Sequence, residues 1–305
     1  METEVQNKNE VHEVNKKPWL YDNGLPWTTG THKKSGMDNL EYTLNTLKRR
    51  VDNGKASMIL IDGGLGEGKT TFAVHIASYY ETVSVSLKDF LFMGSQQFLN
   101  GLKPAYERGL KVVIYDESGD FDKKGAMSKL NKMLERIFDI FRAFKIIVIL
   151  VLPSFFVLDN SLFTKNIPRL LIHCHNRTKR QGNFSVYSLY RMNWLRYRAT
   201  KCYVKTDAFK MVQPNFRGHF KDLSPSRSKE LDNFSTRGKL GVVGETMLKS
   251  EGHVSINDLS MSSGLSKSQV KLILKNSGVK PSTVYKKKHY YSKEVINLVR
   301  RQRKA

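Results

Sequence analysis

Apolar positions in this chain follow two rhythms. Short unbroken runs recur at Met58-Ile59-Leu60-Ile61, Lys111 to Glu117 (KVVIYDE), Lys145 to Leu152 (KIIVILVL) and Arg169 to Cys174 (RLLIHC). Runs apolar at successive positions predict strands covered on both faces, as in the middle of a parallel sheet. Between them the spacing changes to three and four. Leu40, Leu44, Leu47 and Val51 mark one face of a helix from Asp38 to Val51, closed by Asn53-Gly54. Met127, Leu130, Leu134, Ile137, Phe141 and Phe144 mark a longer helix. Val83 to Leu87 is expected as a further strand, and Asp89 to Arg108 as partly helical. Strands alternating with helices predict an α/β fold with a mainly parallel, doubly covered sheet.

After Asn176 the pattern changes. The polar stretch RTKRQGN and then Phe184 to Tyr190 read as a turn and a returning strand. An aromatic and basic segment follows, YSLYRMNWLRYRATKCYVK. Residues 213–238 are polar, include SPSRS, and are expected as a linker. The domain so bounded is 18–212, behind a polar tail (1–17) expected to be disordered. Within it Pro18 to Gly36, with Trp19 and Trp27, is expected as a loop laid against the core.

Residues 239–305 form a second unit. Ile256 and Leu259 mark a short helix, Ser263-Gly264-Leu265 a tight turn, and Ser266 to Lys275 a helix with Val270, Ile273 and Leu274 inward. This resembles a helix-turn-helix, winged or plain, presenting Ser266, Lys267, Ser268, Gln269 and Lys271 to a DNA groove. Lys286, Lys287 and Lys288 lie in an expected basic wing (STVYKKKHYY), and Lys293 to Arg301 is a closing helix. A small helical packing unit with a solvated basic face would carry the same pattern.

Charge narrows the partners. The chain has 305 residues, with 51 Lys or Arg against 28 Asp or Glu and a net charge of +23. That imbalance says little about fold and points to polyanions, nucleic acid first and an anionic membrane surface second. Two cysteines, Cys174 and Cys202, with no CxxC pair, argue against a disulfide framework or zinc module and fit a reducing cytoplasm. His173 and His175 face away from Cys174 on a strand and read as ordinary strand residues. The longest apolar run, Ile146 to Leu152, has seven residues before Pro153, against about 20 for a spanning helix. The polar N-terminus lacks an apolar signal core. A soluble, cytoplasmic protein is expected.

Candidate chemistry concentrates at Ser57 to Thr71, SMILIDGGLGEGKTT. Gly63 to Thr70 fits G-x-x-x-x-G-K-[ST] with no mismatch. The apolar run before it and the helical pattern after it (Phe72, Ala73, Ile76, Ala77, Tyr80) supply the strand and helix that this motif requires. Glycines at 63, 64, 66 and 68 let the backbone of Gly63, Gly64, Leu65, Gly66, Glu67 and Gly68 approach phosphate oxygens. The helix N-terminus at Lys69, Thr70 and Thr71 adds partial positive charge. Lys69 is then placed for the β- and γ-phosphates of a nucleotide and the Thr70 hydroxyl for Mg²⁺. A glycine-rich turn that binds nothing is the plainer reading, and the flanking strand and helix speak against it.

A second element lies in Tyr115-Asp116-Glu117, at the end of an apolar strand, the pattern called Walker B. Asp116 would hold Mg²⁺ through water, and Glu117 would orient or deprotonate an attacking water. Adjacent Asp-Glu, with an extra strand between it and the loop, resembles the additional-strand, catalytic-glutamate class of P-loop ATPases over about Met58 to Asn176. That class includes AAA+ proteins, RecA-like motors and FtsK/HerA-type translocases. The resemblance implies a polar sensor at the tip of the fourth strand, here Ser154, where FtsK/HerA-type proteins usually have Gln. The hairpin-like segment after the fifth strand is similar to the RecA and FtsK/HerA branch, whereas AAA+ proteins have a helical lid. The resemblance also implies a homo-oligomeric ring with a catalytic arginine from the neighbouring copy, Arg169 first, then Arg177 and Lys165.

Two functions follow. One is a DNA-handling ATPase that moves or remodels duplex DNA in packaging, transfer or replication of a virus or mobile element. The other is an ATP-switched, sequence-specific DNA binder, such as a replication initiator or regulator. A protein partner stays open in either case.

Overall fold

The structure, a computed structural model, describes residues 24–55, 57–81, 86–117, 134, 141–176, 181–236, 252–285 and 288–302. The chain divides into two compact units, Met1–Phe234 and Ser235–Ala305.

The first unit is built on one sheet. Its strands are β1 (Trp27–Thr29), β2 (Ser57–Gly63), β3 (Leu91–Met93), β4 (Val112–Asp116), β5 (Ile147–Val151), β6 (Pro168–His175), β7 (Gln181–Ser188) and β8 (Phe216–Lys221). They lie in the order β1-β8-β7-β6-β2-β5-β4-β3. β3, β4, β5, β2 and β6 run parallel. β7, β8 and β1 extend the β6 edge antiparallel. The sheet is therefore mixed, with the parallel part that the apolar runs predict. Every residue of β2, β4 and β5 is buried, as strands covered on both faces must be.

Helix Asn39–Asp52 buries Leu40, Leu44, Leu47 and Val51, and Asp38 caps it by accepting from the amides of Leu40 and Glu41. Helix Lys69–Tyr80 is buried on nearly every side. The Tyr80 hydroxyl donates to the Leu44 carbonyl at 2.8 Å and ties these two helices together. Phe72 packs against Phe184 and Phe220 at centroid distances of 4.5 and 4.6 Å, with Trp27 edge-on at 6.1 Å. The helix that follows the glycine loop is thus anchored to the antiparallel part of the sheet.

Three expectations change. Of the expected linker, the described residues 213–236 hold regular structure. Phe216–Lys221 is strand β8, held between β7 and β1, and residues 225–236 are helical. Glu230 in that helix accepts from the Ser86 hydroxyl at 2.5 Å and the Leu87 amide at 2.8 Å, while Leu231 and Phe234 pack on the main core. β8 alternates Gly218 and Phe220 inward with Arg217, His219 and Lys221 outward. A half-covered strand of that kind reads as polar text when judged by composition. Trp27 lies in β1, not in a loop. The predicted strand at Val83 to Leu87 falls largely on 82–85, outside the described residues. Leu87, its last residue, opens the short helix Leu87–Phe90, and β3 follows as a strand that the sequence does not predict, since three residues are too few to show a period.

The tail, residues 18–23 and most of the expected long helix around Met127 and Ile137 also lie outside the described residues. Leu134 and Phe141, which are described, are buried. Among the described residues no helix is long and apolar enough to cross a membrane.

In the second unit, β9 (His253–Ser255), β10 (Thr283–Tyr285) and β11 (Lys288–Ser292) form an antiparallel sheet in the order β10-β11-β9. Helices Ile256–Ser263, Lys267–Asn276 and Val295–Gln302 accompany it. The first two are separated at Gly264, whose φ of 70° ends the first helix in the left-handed conformation. Leu259, Val270, Leu274, Tyr291, Val295 and Val299 form this unit's own core.

Candidate phosphate-binding site

The glycine loop leaves the end of β2 and turns into helix Lys69–Tyr80. Gly66 and Gly68 take φ values of 79° and 77°, open to glycine at little cost. Gly63 has a second reason to be glycine. A Cβ there would stand 2.3 Å from the Cys174 carbonyl oxygen of neighbouring β6. Residues Gly64, Leu65 and Gly66 are exposed, with Leu65 at the tip. Glu67 and Gly68 are half-buried, and Thr71 is buried in the first turn of the helix. The Lys69 ammonium folds back over the loop, donating to the carbonyls of Gly63 at 2.8 Å and Gly64 at 2.6 Å.

Opposite the loop stands the end of β4. Ile61 of β2 and Asp116 of β4 both pair with Val151 of β5, so Asp116 stands level with Ile61, two residues before the end of β2. Asp116 and Glu117 are 4% and 8% exposed. The Thr70 hydroxyl donates to Asp116 Oδ2 at 2.7 Å. A hydroxyl and a nearly buried carboxylate this close form a hard-oxygen donor set, and it fits Mg²⁺. All of these groups gather at the carboxyl ends of the parallel strands, where open α/β sheets bind ligands.

Behind the loop lies a pair that the sequence reading missed. Asp62, 1% exposed, directly precedes Gly63. Its Oδ1 meets His173 Nδ1 at 2.9 Å, and its Oδ2 accepts from the Phe155 amide at 3.0 Å. The His173 ring also stacks on Phe209 at 3.9 Å. The available signal was Asp62 itself, since a carboxylate inside an apolar strand must find partners. His175, on the same face, meets the Ser185 hydroxyl through Nε2 at 3.1 Å. Burial first, and then His173, lower its pKa, with Glu67 opposing and Arg217 and His219 adding to the shift.

Ser154 is at the same edge, because the Leu152 amide donates to the Ile61 carbonyl as the chain leaves β5. Its hydroxyl accepts from the Phe156 amide at 3.4 Å and caps the turn Phe155–Val157. Arg169 is at the opposite end of β6. It lies five residues before Cys174, about 17 Å at roughly 3.3 Å per residue. Burial, followed by repulsion from Arg50, lowers its pKa. Within one chain it does not join the loop. Lys165 closes the helix Asn160–Thr164, and Arg177 is outside the described residues.

In the second unit Lys267, Ser268, Lys271 and Lys288 are exposed. Ser266 and Gln269 are also exposed, but they engage each other. Ser266 Oγ accepts from the Gln269 amide at 3.3 Å, and Gln269 Oε1 accepts from the Ser266 amide at 2.9 Å. They start the helix as well as lying on its outer face. Lys286 and Lys287 lie outside the described residues.

No family model and no curated protein matches this chain. Among solved structures it is similar to the N-terminal domain of zonular occludens toxin from Neisseria meningitidis, at 17% identity and a TM-score of 0.25. That match covers 44% of this chain and 84% of the other.

Proposed function

We propose that the protein is a Mg²⁺-dependent ATPase that acts on DNA. The Thr70–Asp116 contact carries this reading, because it assembles the cation donors of a nucleotide site beside an open glycine loop and Lys69. Bound ATP with Mg²⁺ supplies the phosphoanhydride to be cleaved and the cation that offsets its charge. Gly64 to Gly68 give phosphate oxygens access to the backbone at a helix N-terminus. Lys69 turns its ammonium from the loop carbonyls to the phosphates. Thr70 and Asp116 hold the cation, and Glu117 takes the proton of the attacking water. Ser154 is the polar group that senses the phosphate end, and Arg169 serves the site of an adjacent copy in a ring.

The DNA part of the reading is supported by the net charge of +23 and by Lys267, Lys271 and Lys288 exposed on the second unit. These side chains suit phosphate contacts, which anchor a protein on DNA without reading its sequence.

Steady-state ATPase activity with no DNA, random duplex, single strand and RNA, beside Glu117→Gln, tests the reading. Stimulation by any duplex, weakened by salt and abolished in the variant, is the expected result. Slow turnover with tight ATP-dependent binding to one duplex sequence would favour the ATP-switched, sequence-specific DNA binder instead.

A further inference from the structure

Helix Leu189–Ala199 and the chain after it, to Lys205, hold four exposed aromatic side chains. Tyr190 is 80% exposed, Trp194 41%, Tyr197 54% and Tyr203 104%. Five basic residues stand among them, and no acidic residue falls between 189 and 205. The rings are already arranged. Trp194 and Tyr197 stack at 5.4 Å with 26° between their planes, and the Arg198 guanidinium lies 4.8 Å over Trp194.

Beside Tyr197 opens a cleft of about 330 Å³, lined by Phe156, Asn160, Asn193, Thr200 and Lys205. Two of the arginines are structural. Arg191 donates to the carbonyls of Gln213 and Pro214. Arg196 donates to the Leu158 carbonyl at 3.0 Å and Asn160 Oδ1 at 2.8 Å, with its guanidinium over Phe163. Arg198, Lys201 and Lys205 make no ion pair among the described residues.

We propose that this face binds single-stranded DNA. Bases stack on Trp194 and Tyr197, one base enters the cleft, and Arg198, Lys201 and Lys205 meet the phosphates. Stacked rings bordered by cations suit unpaired bases, whose π-faces are free, whereas duplex bases already stack on each other. Amide and hydroxyl groups of Asn160, Asn193 and Thr200 offer hydrogen bonds to a base edge. The segment 189–205 carries only positive charge, which complements a polyanion. The choice of DNA as that polyanion rests on the function proposed above.

Packed side chains connect the cleft's wall to Asp62, the residue that precedes the glycine loop. Phe156 forms part of that wall, Phe155 beside it holds Asp62 through its amide, and both rings pack on Phe209, which stacks on His173. A strand seated in the cleft therefore bears on the turn that supports Gly63.

The test uses the full chain without nucleotide, so that failure of the ATPase reading leaves it intact. An oligo-dT of about 15 nucleotides is titrated while tryptophan emission and oligonucleotide anisotropy are followed. The oligonucleotide should quench emission in wild type and in Lys69→Ala, and the quench should disappear in Trp194→Phe. Tyr197→Ala, and Lys201→Ala with Lys205→Ala, should each weaken binding about tenfold with unchanged melting temperature. Lys267→Ala with Lys271→Ala should leave the quench in place. Unchanged emission, wild-type affinity in Tyr197→Ala, or a quench by blunt duplex alone would overturn the proposal. Equal affinity for oligo-U would overturn the assignment to DNA. A protein complex that Tyr197→Ala breaks, with oligonucleotides without effect, would overturn the site.

Discussion

The Thr70 hydroxyl and the Asp116 carboxylate meet at 2.7 Å although 46 positions separate them in the chain. Their meeting depends on register. β2 and β4 flank β5, and both reach Val151 at their last turns toward the loop. Slippage of either strand would separate the two oxygens.

Glu117→Gln should retain ATP and lose turnover by about 10²–10⁴-fold, the usual contribution of a general base. Lys69→Ala should lose nucleotide binding itself. Titration with a fluorescent ATP analogue beside phosphate-release kinetics separates the two effects. Turnover within tenfold of wild type in Glu117→Gln would remove Glu117 from the proposed role.

Two glycines of the loop should respond differently to alanine. At Gly63 the added methyl would strike the Cys174 carbonyl at 2.3 Å, so Gly63→Ala should destabilise by about 3 kcal/mol or more. At Gly66 no atom lies within 4 Å of the added carbon, and only the left-handed backbone opposes it, at about 1–2 kcal/mol. Urea unfolding of both variants checks the order.

Stability should fall in mild acid because of His75. Burial lowers its pKa from 6.5 to about 4, against the opposing Lys221 carbonyl and Asp222. Above pH 6.5 the imidazole is neutral in both folded and unfolded chains, and its contribution is fully retained. Between 6.5 and 4 only the unfolded chain takes the proton, so stability drops by up to about 3 kcal/mol and then levels off. His175, lowered in the same direction, adds to the trend. Urea midpoints at pH 7 and 4.5 should differ less in His75→Gln than in wild type; an equal difference would exclude His75 as the cause.

Lys267 and Lys271 are expected to act through phosphates. Replacing both by alanine should weaken duplex binding similarly for all sequences and lower the salt slope by about 2. Anisotropy titrations over a range of salt measure this. Relaxed preference for one sequence, with an unchanged slope, would instead place these lysines on base edges.

The loop from Gly63 to Thr70, its flanking strand and helix, the Asp116-Glu117 strand end and the helices of the second unit can be read from the chain alone. These are local matters. Apolar runs, three-and-four spacing, glycines and caps act over a few neighbouring residues, and the chain states them directly. Other features depend on partners far along the chain. Asp62 finds His173 at a separation of 111 positions. Phe216–Lys221 becomes a strand because β7 and β1 are there to pair with it. Arg169 ends at the far side of β6 because strand direction, not adjacency in sequence, sets which end faces the loop. Alternation in β8 was visible, but only the covering of one face by Phe72 and Phe184 tells a strand from a linker. Such pairings depend on which surfaces meet across the sheet, and no short stretch of sequence contains both sides of that contact.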